Sequence, residues 1–231
     1  HFEAMQPGSE FADGVVPDFQ VAIYDAGAFV DTFVGYGVRF GAFLAVPAHV
    51  MRHVTQLIVG GRLGKLGVST TPIMSKVNSD LMYIPLNEAQ WSRLGAATAR
   101  TPKKLQNSLV SCTGRKGTSN GMLTQTDVLG IMKYSGSTIS GMSGAAYYSG
   151  STVYGIHTGV AGDYNIGVTA VLIMAELRKL LLGETPTLEE MKGLNRASGS
   201  KVRSGWDTAH LMKKIDGLYS EDIGWAGEED F

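Results

Sequence analysis

Short apolar runs alternate with glycine-rich turns over the first three quarters of the chain. The alternation is clearest between Val38 and Leu44, where Arg39 and Gly41 interrupt valine, phenylalanine and leucine. Runs of this kind, bounded by turn residues, are typical of β-strands. The pattern predicts strands at residues 20–24, 29–36, 38–46, 56–59, 81–85, 108–113, 122–133, 146–148, 152–157 and 167–171.

Numerous short strands with regular turn signals predict an all-β fold, and the break near the middle predicts two barrels. We expect an N-terminal β-barrel at 1–94, a linker at 95–107, and a C-terminal β-barrel with a packing helix at 108–183. A short helix is predicted at 87–94. The helix at 172–182 is apolar on more than one face, so it should pack back on the barrel. Residues 184–231 form a C-terminal extension, with two short helices predicted at 187–194 and 207–218.

Composition narrows the class of protein. The 231 residues are 44% hydrophobic and carry a net charge of −1, which indicates a folded chain with no general attraction to nucleic acid. The single cysteine, Cys112, excludes an internal disulfide and is predicted to be buried. No apolar run reaches the roughly 18 residues that a membrane span requires.

A hydroxyl on a glycine-flanked turn is the main chemical feature. Ser143 lies between Gly141 and Gly144, whose backbone freedom allows neighbouring amides to converge on one point. Converging amides beside a serine hydroxyl can stabilise the oxyanion of acyl transfer. The serine then needs a base, and the base needs an orienting group.

Two residues fit those roles. His49 follows the apolar run Phe43–Val46 at a small-residue turn, where a rigid strand can hold a base at a cleft. Asp80 begins the apolar run 81–85, and a carboxylate placed there needs a hydrogen-bond donor. A histidine ring N–H would supply that donor and fix the tautomer that leaves the other nitrogen free as the base.

The order His49, Asp80, Ser143 resembles that of the chymotrypsin-like, 3C-like proteases of positive-strand RNA viruses, most closely the sobemovirus-type polyprotein serine protease. The similar stretches are 46–49, 80–84 and the Thr-x-x-Gly-x-Ser-Gly run at 138–144. The resemblance covers roughly residues 20–183. It implies two six-stranded antiparallel barrels and a serine endopeptidase that processes its polyprotein through a His49–Asp80–Ser143 triad.

The resemblance also implies a substrate pocket. Relatives that cut after Glu or Gln carry a threonine five residues before the nucleophile and a histidine fourteen after it, which are Thr138 and His157 here. Asn165 is the third candidate lining residue. The oxyanion hole is expected from the amides of Gly141 and Ser143, with Met142 as an alternative for one of them. No metal or cofactor is expected, because the chain has no histidine–cysteine cluster and no phosphate loop.

The expected partners follow from the same resemblance. The substrate is the viral polyprotein in the host cytoplasm, with relatives anchored to membranes by an upstream segment. Residues 225–230, Trp-Ala-Gly-Glu-Glu-Asp, are similar to the Trp-(Ala/Gly)-Asp motif of a genome-linked protein, although Gly227 replaces the acid. This acidic tail, which begins at Trp225, is a candidate to dock in cis on the more basic body of the chain.

Two other functions remain open. One is a catalytically silent β-barrel that acts as a scaffold or RNA-binding module through Lys103, Lys104, Arg115 and Lys116. The other is an α/β-hydrolase. That fold requires Gly-x-Ser-x-Gly with the histidine after the serine, but Ala145 occupies the last position and His49 precedes the serine.

Overall fold

The computed structural model describes residues 3–184, which form strands β1–β13 and helices α1–α3. The first half contains β1 (Gln20–Asp25), β2 (Thr32–Phe40), β3 (Phe43–Pro47), α1 (Ala48–Met51), β4 (Leu57–Gly61), β5 (Gly64–Val68), β6 (Ile73–Met74), β7 (Leu81–Pro85) and α2 (Glu88–Leu94). The second half contains β8 (Ser108–Gly114), β9 (Gly117–Gln125), β10 (Ile131–Tyr134), β11 (Ala146–Ser149), β12 (Thr152–Ala161), β13 (Tyr164–Thr169) and α3 (Ala170–Leu181). The predicted all-β fold is confirmed.

The second half is a closed six-stranded barrel in the order β10-β13-β12-β11-β8-β9, as predicted. The prediction of one strand at 122–133 was wrong, because β9 and β10 are separate antiparallel strands. Between them, the Thr126 hydroxyl bonds the Val128 and Ile131 backbone, and Gly130 has a φ of +82°. A left-handed glycine and a hydroxyl that bonds its own turn end a strand.

The first half is a seven-stranded sheet in the order β5-β4-β1-β2-β3-β7-β6, rather than a closed six-stranded barrel. Its edge strands β5 and β6 were not predicted. Pro72 lies in the connection between them and cannot donate a backbone hydrogen bond, so the chain does not continue as one strand there.

Helix α3 packs across both halves of the molecule, which confirms that it folds back on the body. Ile173 and Leu177 are buried in a cluster that also contains Leu81 of β7 and Val153 of β12. The helix begins at Ala170 after the cap Thr169, whose side chain accepts from the Val171 amide. The predicted features of 185–231 lie outside the described residues, and the four-part division of the chain stays a prediction.

A backbone hydrogen bond joins the two halves next to Ser143, and a second one holds the serine turn against the barrel. The Tyr36 amide on β2 donates to the Ser143 carbonyl at 2.9 Å. The Gly144 amide donates to the His157 carbonyl on β12 at 2.8 Å. Gly144 has a φ of +89°, and a Cβ there would overlap the Tyr36 carbonyl oxygen. The turn therefore requires glycine both for its backbone angle and for the close approach of β2.

We predict that Gly144→Ala lowers the free energy of unfolding by at least about 2 kcal/mol, because it adds steric overlap to left-handed strain. Gly150→Ala is the matched control, since Gly150 has a φ of +58° but a methyl group there would meet no other part of the chain within 4 Å. That control should lose only about 1 kcal/mol. Urea denaturation measures both values, and equal losses would contradict the steric account.

Candidate active site

The register between β3 and β7 brings His49 to Asp80. Pro47 at the end of β3 pairs with Leu81 at the start of β7, so the residues just beyond that pair are neighbours. The Asp80 Oδ1 accepts from the His49 amide at 2.9 Å, and Oδ2 lies 2.6 Å from His49 Nδ1. Asp80 is 3% exposed, so these donors compensate the cost of burying its carboxylate.

The second barrel supplies the hydroxyl. His49 Nε2 lies 2.8 Å from Ser143 Oγ, on the ring edge opposite Asp80. An Asp80 carboxylate bound to Nδ1–H leaves Nε2 as the acceptor that faces the serine hydroxyl. The structure therefore brings together the three residues that the sequence predicted for the triad. This arrangement can remove a proton from Ser143 and stabilise the imidazolium that results.

The turn before Ser143 has amides with different partners. The Met142 amide donates to the Ile139 carbonyl at 3.1 Å, so that amide is already engaged. Among the hydrogen bonds of residues 3–184, none uses the amide of Gly141 or Ser143 as donor. Gly141 has a φ of +94°, a left-handed conformation that suits a turn whose amides point to one side.

Thr138 and Asn165 lie together inside the second barrel. The Thr138 hydroxyl donates to the Asn165 Oδ1 at 2.9 Å, and both residues are at most 1% exposed. The Asn165 amide nitrogen donates to the Gly136 carbonyl at 2.8 Å and to the Ala4 carbonyl at 2.7 Å. The sequence-predicted pair is thus held rigidly by its own hydrogen bonds.

His157 is fully buried, and each of its ring nitrogens has a partner. Nδ1 lies 2.6 Å from the Tyr147 hydroxyl oxygen, which is also 3.1 Å from the Ile166 carbonyl oxygen. Nε2 lies 3.0 Å from Glu3 Oε2. Because an ionised carboxylate only accepts hydrogen bonds, Nε2 is the donor in that contact. With Tyr147 beside Nδ1, the ring is oriented so that its Nε2 donor faces the Glu3 carboxylate.

The N-terminal segment places an acidic side chain in this pocket. Glu3 bonds His157 through Oε2, and its Oε1 lies 3.4 Å from Ser143 Oγ. The next residue, Ala4, is held by the Thr138 amide and by Asn165. A carboxylate therefore lies between the serine hydroxyl and the buried histidine.

A cleft of about 450 Å³ opens above these groups. Its lining includes His49, Ser143 and Gly141, with Glu3 at one side and the exposed His53 at the rim.

Sequence reasoning missed Tyr147 and Glu3. Tyr147 lies in a strand like any other aromatic strand residue, and Glu3 precedes every predicted element. Neither position therefore shows a sequence pattern that indicates a functional site. The prediction that Cys112 is buried is confirmed. Burial raises the pKa of its thiol well above the ordinary value, and the nearby Glu3 charge adds to that shift. A protonated buried thiol is a poor nucleophile.

Within residues 3–184, no three His, Cys, Asp or Glu side chains are grouped as metal ligands would be. No helix of that same part of the chain is long and apolar enough to cross a bilayer.

Comparisons with known proteins locate the fold among serine proteases. No family model and no curated protein matches the chain. The serine protease domain of the Sesbania mosaic virus polyprotein is similar in structure, with 21% identity and a TM-score of 0.60 over 73% of this chain and 97% of that chain. A second Sesbania mosaic virus structure, from work on the coupled folding and binding of the VPg protein, gives 21% identity and a TM-score of 0.57 over 73% and 94%.

A third structural neighbour is a protease relative described as inactivated. An inactivated protease paralogue of the scabies mite has 12% identity and a TM-score of 0.55 over 77% of this chain and 100% of that chain. The same architecture is therefore present in a protein described as inactivated, so the fold alone does not establish catalytic activity. What the neighbours share is the architecture, and the chain has the chymotrypsin-like fold of the serine proteases.

Proposed function

We propose that the protein is a viral serine endopeptidase that processes its polyprotein by cutting after Glu or Gln. The observation that carries the proposal is the continuous hydrogen-bonded chain from Asp80 through His49 to Ser143, with distances of 2.6 and 2.8 Å. The arrangement places the His49 base against the Ser143 hydroxyl and a buried carboxylate on the opposite edge of the ring. Scaffolding or RNA binding does not require such an arrangement.

The proposed reaction is acyl transfer in two steps. His49 Nε2 takes the proton of Ser143 while Oγ attacks the scissile carbonyl carbon, and the C–O double bond opens to an oxyanion. His49 returns the proton to the leaving amine as the C–N bond breaks, which leaves an acyl ester on Ser143. Water then attacks the ester carbonyl carbon and gives a proton to His49, which passes that proton to Ser143 Oγ as the ester C–O bond breaks. The carboxylic acid is released, and Ser143 and His49 return to their starting states. Asp80 stabilises the charged imidazole in both steps.

For the oxyanion hole we propose the amides of Gly141 and Ser143. Both are without an acceptor among the described hydrogen bonds, whereas the Met142 amide is engaged by the Ile139 carbonyl. The Met142 amide is therefore not one of the proposed donors. Two fixed backbone donors that need no reorganisation stabilise the charge as it develops.

The pocket contents support the proposed preference for Glu or Gln. The Glu3 carboxylate bound to His157 Nε2 is a chemical stand-in for a substrate side chain at the same donor. A pocket whose buried donor pairs with such a group discriminates against apolar side chains, because the donor would lose its partner. Thr138 and Asn165 lie beside this position and complete the proposed lining.

The proposed substrate is the viral polyprotein in the host cytoplasm, acted on by an enzyme that an upstream segment anchors to membranes. The region around Trp225, proposed to begin a genome-linked protein and to dock in cis, lies outside the described residues. Support for these partners comes from the sequence resemblance and from the two Sesbania mosaic virus neighbours.

We predict that a peptide library varied at the residue before the cut is cleaved only after Glu or Gln. Ser143→Ala should lower kcat/KM by about 10⁴-fold or more, because the nucleophile is absent. Product analysis by mass spectrometry identifies the cleaved bonds. A folded wild type that cleaves nothing but binds RNA in a salt-dependent manner would favour the scaffold function instead.

The Tyr147–His157 pair provides a test of specificity. His157→Leu should lower kcat/KM for Glu substrates by about 10- to 100-fold, which is the value of a charge-assisted hydrogen bond. Tyr147→Phe should reduce the Glu-over-Leu preference less, because the ring loses only its orienting partner.

Tyr148→Phe is the matched control for that test. It removes a hydroxyl from the adjacent residue, whose partner is Thr113 rather than His157. Competition assays with Glu and Leu peptides measure the preference. Equal preferences in all three variants and the wild type would show that His157 does not select the substrate.

Glu3 should compete with the substrate, because its carboxylate is bound to His157 Nε2, the donor proposed to bind the substrate side chain. We predict that Glu3→Ala lowers KM for Glu substrates several-fold and leaves kcat unchanged, since fewer molecules have a filled pocket. Glu10→Ala removes the same charge from an exposed position of the same segment and should have no effect. Steady-state kinetics measures both constants, and an unchanged KM in Glu3→Ala would contradict the proposed competition between Glu3 and the substrate.

A further inference from the structure

Glu176 is a buried carboxylate that the proposed reaction does not use. It lies on α3, is 1% exposed, and accepts hydrogen bonds from the Ser75 hydroxyl at 2.6 Å, the Tyr83 hydroxyl at 2.5 Å and the Lys76 amide at 2.6 Å. Burial raises the pKa of the Glu176 carboxyl, while these hydrogen bonds oppose the shift. A carboxylate that accepts hydrogen bonds from three fixed donors is held in one orientation.

Two of the three donors belong to the loop between β6 and β7, which ends at Asp80. Ser75 Oγ in turn accepts from the amides of Val77 and Asn78, each at 3.1 Å. The Asn78 Oδ1 accepts from the Asp80 amide at 2.8 Å. An unbroken series of hydrogen bonds therefore leads from Glu176 to the backbone of Asp80.

The third donor holds the other side of Asp80. Tyr83 lies on β7, three residues after Asp80, and its hydroxyl meets the same Glu176 oxygen as Ser75. The Ser75 amide also donates to the Leu81 carbonyl at 2.9 Å. One carboxylate thus ties down the chain on both sides of Asp80.

We propose that Glu176 is a positioning residue for Asp80, so that a helix at the end of the second barrel fixes the acid contributed by the first half. This inference rests on the proposed function of Asp80 as the group that orients His49. Glu176 touches no reacting atom. Its effect is transmitted through the 75–80 loop, and a small displacement of a group that orients the base is costly to rate.

The experiment compares Glu176→Gln with Glu184→Gln, a matched control at an exposed position just beyond the C-terminal end of the same helix. Glu176→Gln should lower kcat by about 10- to 100-fold with KM within about two-fold, when activity is referred to the concentration of folded protein. The control should match the wild type. Ser75→Ala and Tyr83→Phe each remove one hydrogen-bond donor to Glu176 and should lower kcat by a smaller factor. These two variants replace Glu176→Gln in the experiment if that variant does not fold.

A second measurement does not depend on activity. The proton that His49 Nδ1 shares with Asp80 gives a low-field proton NMR signal in the wild type, and this signal should shift or broaden in Glu176→Gln and not in the control. A folded variant with unchanged kcat and an unchanged signal would overturn the proposal. A wild type that shows the signal but cleaves no peptide would count against the proposed function, and the NMR comparison would then decide the role of Glu176 alone.

Discussion

The hydrogen bond between the buried Asp80 carboxylate and His49 Nδ1 is the interaction on which the site depends. A carboxylate that is 3% exposed needs donors, and the His49 amide and ring are the two that compensate it. The same contact fixes the ring so that Nε2 faces Ser143 at 2.8 Å. One electrostatic requirement therefore sets both the tautomer and the direction of the base.

The fold meets that requirement by dividing the site between two β-structures. The open sheet supplies His49 and Asp80 through the register of β3 with β7, and the closed barrel supplies Ser143 and the buried His157. The hydrogen bond from the Tyr36 amide to the Ser143 carbonyl joins the two parts at the serine turn, and α3 packs across both. Because the reacting groups come from separate elements, the contacts between those elements are as important to the geometry as the groups themselves.

Strand periodicity, a local signal, predicted the fold class. The glycine-flanked serine is also a local signal, whereas His49 and Asp80 were assigned from their order along the chain and from the family resemblance. Sequence reasoning missed β5 and β6, which are short edge strands, and it merged β9 with β10 across a turn formed by Thr126 and Gly130. It also missed Tyr147, Glu3 and Glu176. Their importance comes from contacts with residues far away in the chain, such as Glu176 with Ser75, and no local pattern encodes such contacts.

Covalent labelling tests most directly whether Asp80 and His49 make Ser143 nucleophilic. Diisopropyl fluorophosphate should add one group per molecule, with loss of fluoride, and peptide mapping should locate that group on Ser143. Asp80→Asn and His49→Ala should label far more slowly, because the serine then lacks an oriented base. A folded wild type that is not labelled, or that is labelled only as fast as those two variants, would contradict a nucleophilic role for Ser143.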